Sequence, residues 1–204
     1  FMISIVPGLF GDIVRMEWAK VAASPVSLTH ALISSMFLID VQIATVGYLL
    51  TMKPLDAHIR TANPYLAGWL AALMCYPPFT LMAAGGPFDY HIATSEWHRW
   101  FYNYEALLWV WGAVLVALTA FYAWATFAFG LRFSNLTHRG IITNGPYAFT
   151  KHPAYLSKNT YWWLSTLPFF ATSGSLVDAI RNTLLLGLVS AIYYWRAKTE
   201  ERHL

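Results

Sequence analysis

The chain has 204 residues, of which 57% are hydrophobic, 17% aromatic and only 11% charged. Soluble domains carry roughly 25% charged residues, so this composition excludes an ordinary soluble domain and points to a polytopic membrane protein. Thirteen Lys and Arg against ten Asp and Glu is too slight a basic excess for a nucleic-acid partner, and one cysteine, Cys75, excludes a disulfide framework or a thiolate metal cluster.

The chain opens on Phe1, and "FMISIVPGLF" reads as the tail of an apolar segment with further residues upstream; it carries no signal-peptide pattern. Five stretches are long and apolar enough to predict crossings of a hydrocarbon core of roughly 30 Å, which takes about 20 helical residues. They lie near 29–51, 65–84, 104–130, 154–170 and 176–195. Within the second, Pro77 and Pro78 remove helix hydrogen bonds and predict a kink or break; the fourth is short and closes with Pro168. The turn "ATSGS", 171–175, is brief enough to be only the tip of a hairpin, so both ends of the last two helices lie on one side of the membrane. No internal repeat or low-complexity segment divides the chain. The expected fold is therefore all-α: a single integral-membrane domain over 1–204, with N-terminal helices in 1–130 and a polar loop plus C-terminal hairpin in 131–204.

Charge orients this bundle. Lys53, Arg60, Arg132, Arg139, Lys151, Arg196, Lys198 and Arg202 fall on one face, against Arg15, Lys20 and Arg99 on the other, which predicts that the first face is cytoplasmic. Arg181, early in the last helix, reads as a snorkelling side chain near the far interface. Asp40 and Gln42 lie inside the first span, where an ionisable group is costly and marks either a functional site or a helix–helix hydrogen bond or water contact; the absence of any motif around them favours the bond or water contact. His30, His58, His91 and His98 fall on different connections, so the sequence offers no metal or haem site.

The most polar, most turn-rich stretch is "LRFSNLTHRGIITNGPYAFTKHPAY", 131–155, set between two apolar helices. Gly145-Pro146 signals a turn, and Pro153 suits the first turn of a helix with His152 just outside it. On that helix His152, Tyr155, Asn159 and Trp162 recur at spacings of three and four and share one face. The free N–H groups of its N-terminus, with Lys151 and Arg139 nearby, would attract an anionic ligand group, while Tyr and Trp rings supply stacking or cation–π contact. An interfacial aromatic belt with snorkelling cations accounts for each residue separately, but not for the cluster.

"HRGIITNGPYAFTKHPAYLS", 138–157, followed by "RAKTEERHL", 196–204, resembles the signature of the isoprenylcysteine carboxyl methyltransferase family, a group related to phospholipid N-methyltransferases. The resemblance implies S-adenosylmethionine as methyl donor, bound from the cytosolic side. It implies a donor site formed by His138, Gly145, Tyr147, His152, Pro153 and Tyr155, closed by Glu200, with Arg196 beside the acceptor and Arg196 and Glu200 as the catalytic pair. Lys151 departs from the family's arginine before His-Pro and loses its planar fork. The implied reaction is methyl transfer to a lipophilic acceptor, a carboxylate of a prenylated or lipid-like molecule being favoured and a phospholipid amine the alternative; a membrane transporter or a non-catalytic membrane subunit are the readings from other classes. Without the resemblance, Arg196 and Glu200 read as an ordinary surface i,i+4 pair.

Overall fold

A computed structural model describes residues 2–76 and 79–204. Its elements are α1 (Met2–Val14), α2 (Trp18–Ala22), α3 (Pro25–Leu49), β1 (Thr61–Ala62), α4 (Leu66–Cys75), α5 (Trp97–Trp100), α6 (Glu105–Phe129), β2 (Thr137–His138), α7 (Pro153–Thr166) and α8 (Leu176–His203). The all-α bundle read from the sequence is the fold. Three of the five expected spans, α3, α6 and α8 with 25, 25 and 28 residues, are long and apolar enough to cross a membrane. The other two are shorter. Helix α4 has 10 residues and α7 has 14, roughly 15 and 21 Å of rise. The expected break at Pro77 and Pro78 lies outside the described residues.

Local chemistry sets the boundaries. Helix α3 begins before its apolar run because Ser24 caps it, accepting from Ser27 N at 3.4 Å, and Pro25 occupies the first turn. Helix α7 stops at Thr166 because Pro168 disfavours helical geometry at Leu167, which turns left-handed at φ 48°. Helix α8 starts on Ser175, whose hydroxyl accepts from Asp178 N, and runs on through the charged residues 196–203.

Helices α3 and α6 pack closely: a Cβ at Gly112 would lie 2.2 Å from Thr29 Oγ1, so any larger residue there would force the Thr29 side chain to move. Between the same helices Tyr122 Oη donates to the buried Asp40 carboxylate at 3.2 Å, the expected helix–helix bond; Gln42 is exposed. Helix α8 buries Leu186, Val189, Ile192 and Tyr193 against Cys75 and Tyr90. Helices α7 and α8 form the expected antiparallel hairpin, with Trp163 Nε1 donating to Ser190 Oγ at 3.0 Å and the Trp162 and Tyr155 rings edge-on to Tyr193. At its far end Arg181 does more than snorkel: its guanidinium lies 3.2 Å from Asn182 Oδ1 and 3.5 Å from the Ile92 carbonyl.

The polar loop is anchored from the side. Strands β1 and β2 pair antiparallel, Thr61 opposite His138. Asp56 accepts from both Arg60 and Arg132, and these two cations hold its carboxyl below the usual carboxylate range. Arg139 is buried and spends its charge at the end of α3, donating to the Gly47 carbonyl at 2.6 Å and the Leu131 carbonyl at 3.3 Å. It acts as a helix C-terminal cation, while its Nε stays without a partner and its side chain lines the cavity beside the loop.

Candidate active site

Loop 131–152, the start of α7 and the end of α8 enclose a cavity of about 470 Å³, lined by His138, Tyr147, Lys151, His152, Tyr155, Lys158, Arg196 and Glu200 among others. The loop passes from Gly130 through β2 to a 3-10 turn at Gly145–Ala148, then to His152 at the cap of α7. Gly145 has φ +59°, a left-handed turn natural to glycine, and a Cβ there would meet Trp124 and Ala128 on α6 at 3.5–3.6 Å. This turn sets Tyr147 against α6, its ring edge-on to Phe129 at 4.9 Å. Pro153 is fully buried at the first turn of α7. Gly145 and Pro153 thus shape the loop, while the other expected residues line the cavity.

Arg196 is the centre of the arrangement. Its side chain is 3% exposed, its Nε donates to Glu200 Oε1 at 3.1 Å, and its Nη2 donates to Asn135 Oδ1. The guanidinium lies over the Tyr76 and Tyr155 rings, 4.9 and 5.1 Å from their centroids. Nη1 is buried without a hydrogen-bond partner. This corrects the surface-pair reading: Arg196 is desolvated, because α8 turns it inward between α4 and α7. Glu200 accepts a second bond from Tyr155 Oη. His152 stacks flat on Tyr155, ring centroids 5.6 Å apart, and bridges to the paired carboxylates, Nε2 3.1 Å from Glu201 Oε1 and Nδ1 3.8 Å from Glu200 Oε2.

Of the helical face read from the sequence, His152 and Tyr155 reach the cavity. Asn159 Nδ2 instead bonds the Tyr155 carbonyl of its own helix at 2.8 Å, and Trp162 packs on Tyr193. The sequence reading passed over Lys158, which is half-buried with Nζ 5.1 to 5.9 Å from the centroids of Trp162, Tyr193 and Tyr122. Its signal was available: Lys158 lies three after Tyr155 and four before Trp162. Tyr76 and Asn135 carried no sequence signal, since only tertiary packing brings them to Arg196.

Outside the spans, burial depresses the His138 imidazole below its ordinary range, with Arg60 and His203 adding to the effect. His138 Nε2 is buried without a partner. Burial, then the negative Glu200, push the Tyr147 hydroxyl well above the ordinary phenol range, so it stays a neutral donor. The cavity therefore combines the cations Lys151, Lys158 and Arg196, the Glu200 carboxylate, aromatic walls and buried nitrogens without partners, among them those of His138, Arg139 and Arg196. Such a volume suits a small molecule, and orphaned buried polar atoms are groups a ligand satisfies.

Residues 106–204 match the isoprenylcysteine carboxyl methyltransferase (ICMT) family. No curated protein and no solved structure matches the chain.

Proposed function

On the premise that residues 106–204 are isoprenylcysteine carboxyl methyltransferase family sequence, we propose that this membrane methyltransferase uses S-adenosylmethionine to methylate a carboxylate on a lipophilic acceptor, at the 470 Å³ cavity on the cytoplasmic face. The observation that carries the reading is the buried Arg196, whose Nε and Nη2 are engaged by Glu200 and Asn135 while Nη1 has no partner. Lys158 supports it: among the described residues it has no ion-pair partner, so the interior of the cavity carries more positive charge than Glu200 offsets.

S-adenosylmethionine supplies, when bound, a methyl group activated on a sulfonium. The cavity fits such a donor by its size and by the orphaned His138 Nε2. His138, Tyr147, His152, Tyr155 and Glu200 would hold it, with Gly145 and Pro153 shaping their loop. An acceptor carboxylate is already ionised at neutral pH, so no base is needed. What remains for the protein is alignment and exclusion of water. Arg196, fixed by Glu200 and Asn135, orients the carboxylate. Tyr76, Tyr155 and Tyr193 wall the site from water. Glu200 keeps both Arg196 and the Tyr155 hydroxyl in position.

The test is calorimetry of the detergent-purified protein with the donor and its demethylated product, followed by labelled transfer into lipid extracts. Binding of both, with label entering a lipophilic acid, is expected. No heat with either ligand and no label in any lipid would overturn the reading, and label in phospholipid amines would replace the acceptor.

A further inference from the structure

A second cavity, of about 560 Å³, opens at the opposite end of α7, lined by His30, Tyr90, His91, Glu96, Trp162 and Thr166 among others. Tyr155 in the first cavity and Thr166 in the second are eleven helical residues apart, roughly 16 Å along the axis. At its mouth the structure gathers three side chains that the sequence scatters. His30 comes from the second turn of α3, Glu96 from the cap of α5, and His98 from α5 itself. One nitrogen from each imidazole and one Glu96 oxygen all lie within 4.8 Å of one another. A single oxygen, Glu96 Oε2, stands 3.3 Å from His30 Nε2 and 3.4 Å from His98 Nδ1. Bonds of about 2.0–2.1 Å in a tetrahedral site give ligand–ligand edges of about 3.4 Å, so two of the three edges already have that length.

Hydrogen bonding leaves the group unsatisfied. His98 Nδ1 is buried and has no hydrogen-bond partner despite its 3.4 Å approach to Glu96. The two rings are inclined at 72° with centroids 5.7 Å apart, a T-shaped contact and not a stack. The neighbouring His91 differs: its Nδ1 is bonded to Asp89 Oδ1 at 3.0 Å, and so is engaged already.

We propose that His30, Glu96 and His98 bind a divalent transition metal of the zinc class. Two imidazoles disfavour magnesium and calcium, which take oxygen ligands. Three protein ligands leave a coordination position open, as in sites that keep a water or a ligand on the metal. His30 and Glu96 also line the cavity, so that position faces it. The ion would clamp the start of α3 to α5 and the loop before it, on the membrane face opposite the methyl-transfer cavity.

The experiment uses the whole, untagged protein in detergent, stripped with a chelator and titrated with Co²⁺ for its visible spectrum, then with Zn²⁺ against a chromophoric competitor. One equivalent per chain is expected, with the intense absorption of a four- or five-coordinate Co²⁺ site. His30→Ala, Glu96→Gln and His98→Ala should each weaken Zn²⁺ binding at least ten-fold, and His91→Ala should leave it unchanged. Glu96→Gln replaces a largely exposed carboxylate and keeps its size, so it carries the test if a histidine variant fails to fold. Equal Zn²⁺ affinity in Glu96→Gln and the parent, or an equal loss in His91→Ala, would overturn the assignment. Donor affinity of the stripped protein is measured in parallel and should not change, which separates this site from the methyl-transfer reading.

Discussion

Arg196→Ala is the sharpest perturbation of the proposed methyl-transfer site, because it removes a 3% exposed guanidinium held by a charged hydrogen bond to Glu200 and another to Asn135. Removing one member of a fully buried ion pair costs about 3–5 kcal/mol, mostly by stranding the other charge. Glu200 is 29% exposed and keeps its bond from Tyr155, so its charge is less stranded and the cost falls to about 2–3 kcal/mol. Activity should fall further than stability accounts for. A misplaced acceptor costs about 10²-fold in rate, equivalent to about 2.7 kcal/mol on the barrier. The assay measures thermal midpoint, donor affinity and turnover on one preparation at a temperature where the variant is folded. Donor affinity should stay within a few-fold of the parent while turnover falls about 100-fold. Arg196→Lys should restore part of the stability and little of the turnover, because an ammonium cannot reproduce the planar fork that meets Glu200 and Asn135 together. Near-parental turnover in Arg196→Ala, or a loss that follows the unfolded fraction, would refute the positioning role.

Glu200→Gln keeps an acceptor for Tyr155 but removes the charge facing Arg196, so donor affinity should weaken about ten-fold, roughly 1.4 kcal/mol, as read by calorimetry. Lys158→Met preserves the aromatic packing and removes the second cation; transfer to an acidic acceptor should fall while donor affinity holds, checked by turnover against acceptor concentration. Single cysteines at Ser134 and Ser173 in a Cys75→Ser background should label from opposite sides, Ser134 from the cytoplasm; labelling of both from one side would break the hairpin topology. His138 has a folded-state pKa below its unfolded value, so the folded state binds fewer protons between the two values. Its contribution is full above about pH 6.5 and is lost as pH falls through that value toward the lower folded pKa. His138→Asn should flatten the pH dependence of the thermal midpoint below pH 6.5.

Hydropathy made the long helices legible, because burying a helix in lipid requires an unbroken apolar run: α6 begins at Glu105 where the apolar stretch was placed at 104. It misjudged ends decided by other physics. The Ser24-Pro25 start of α3 is a capping signal and not a hydrophobic one. The continuation of α8 through residues 196–203 depends on Arg196 and Thr199 being buried against neighbouring elements, which no window of apolarity detects. The family resemblance implied His138, Tyr147, His152, Tyr155, Arg196 and Glu200, and all six line one cavity. Tyr76 and Asn135, like the meeting of His30, Glu96 and His98, arise from contacts between distant segments and leave no local trace. Lys158 was legible and hidden by its type: a lysine near a helix end reads as a snorkelling charge until its three aromatic neighbours are known.

Carboxyl methylation at the Arg196 cavity is reported directly by the chemical bond formed. A methyl ester releases methanol in mild base, whereas an N-methyl group does not. Purified protein, methyl-labelled donor and a farnesylated cysteine derivative should yield label that becomes volatile on alkaline treatment, and Arg196→Ala should yield about 100-fold less at equal folded protein. Label that stays non-volatile in base, or equal volatile label from the variant, would contradict the account.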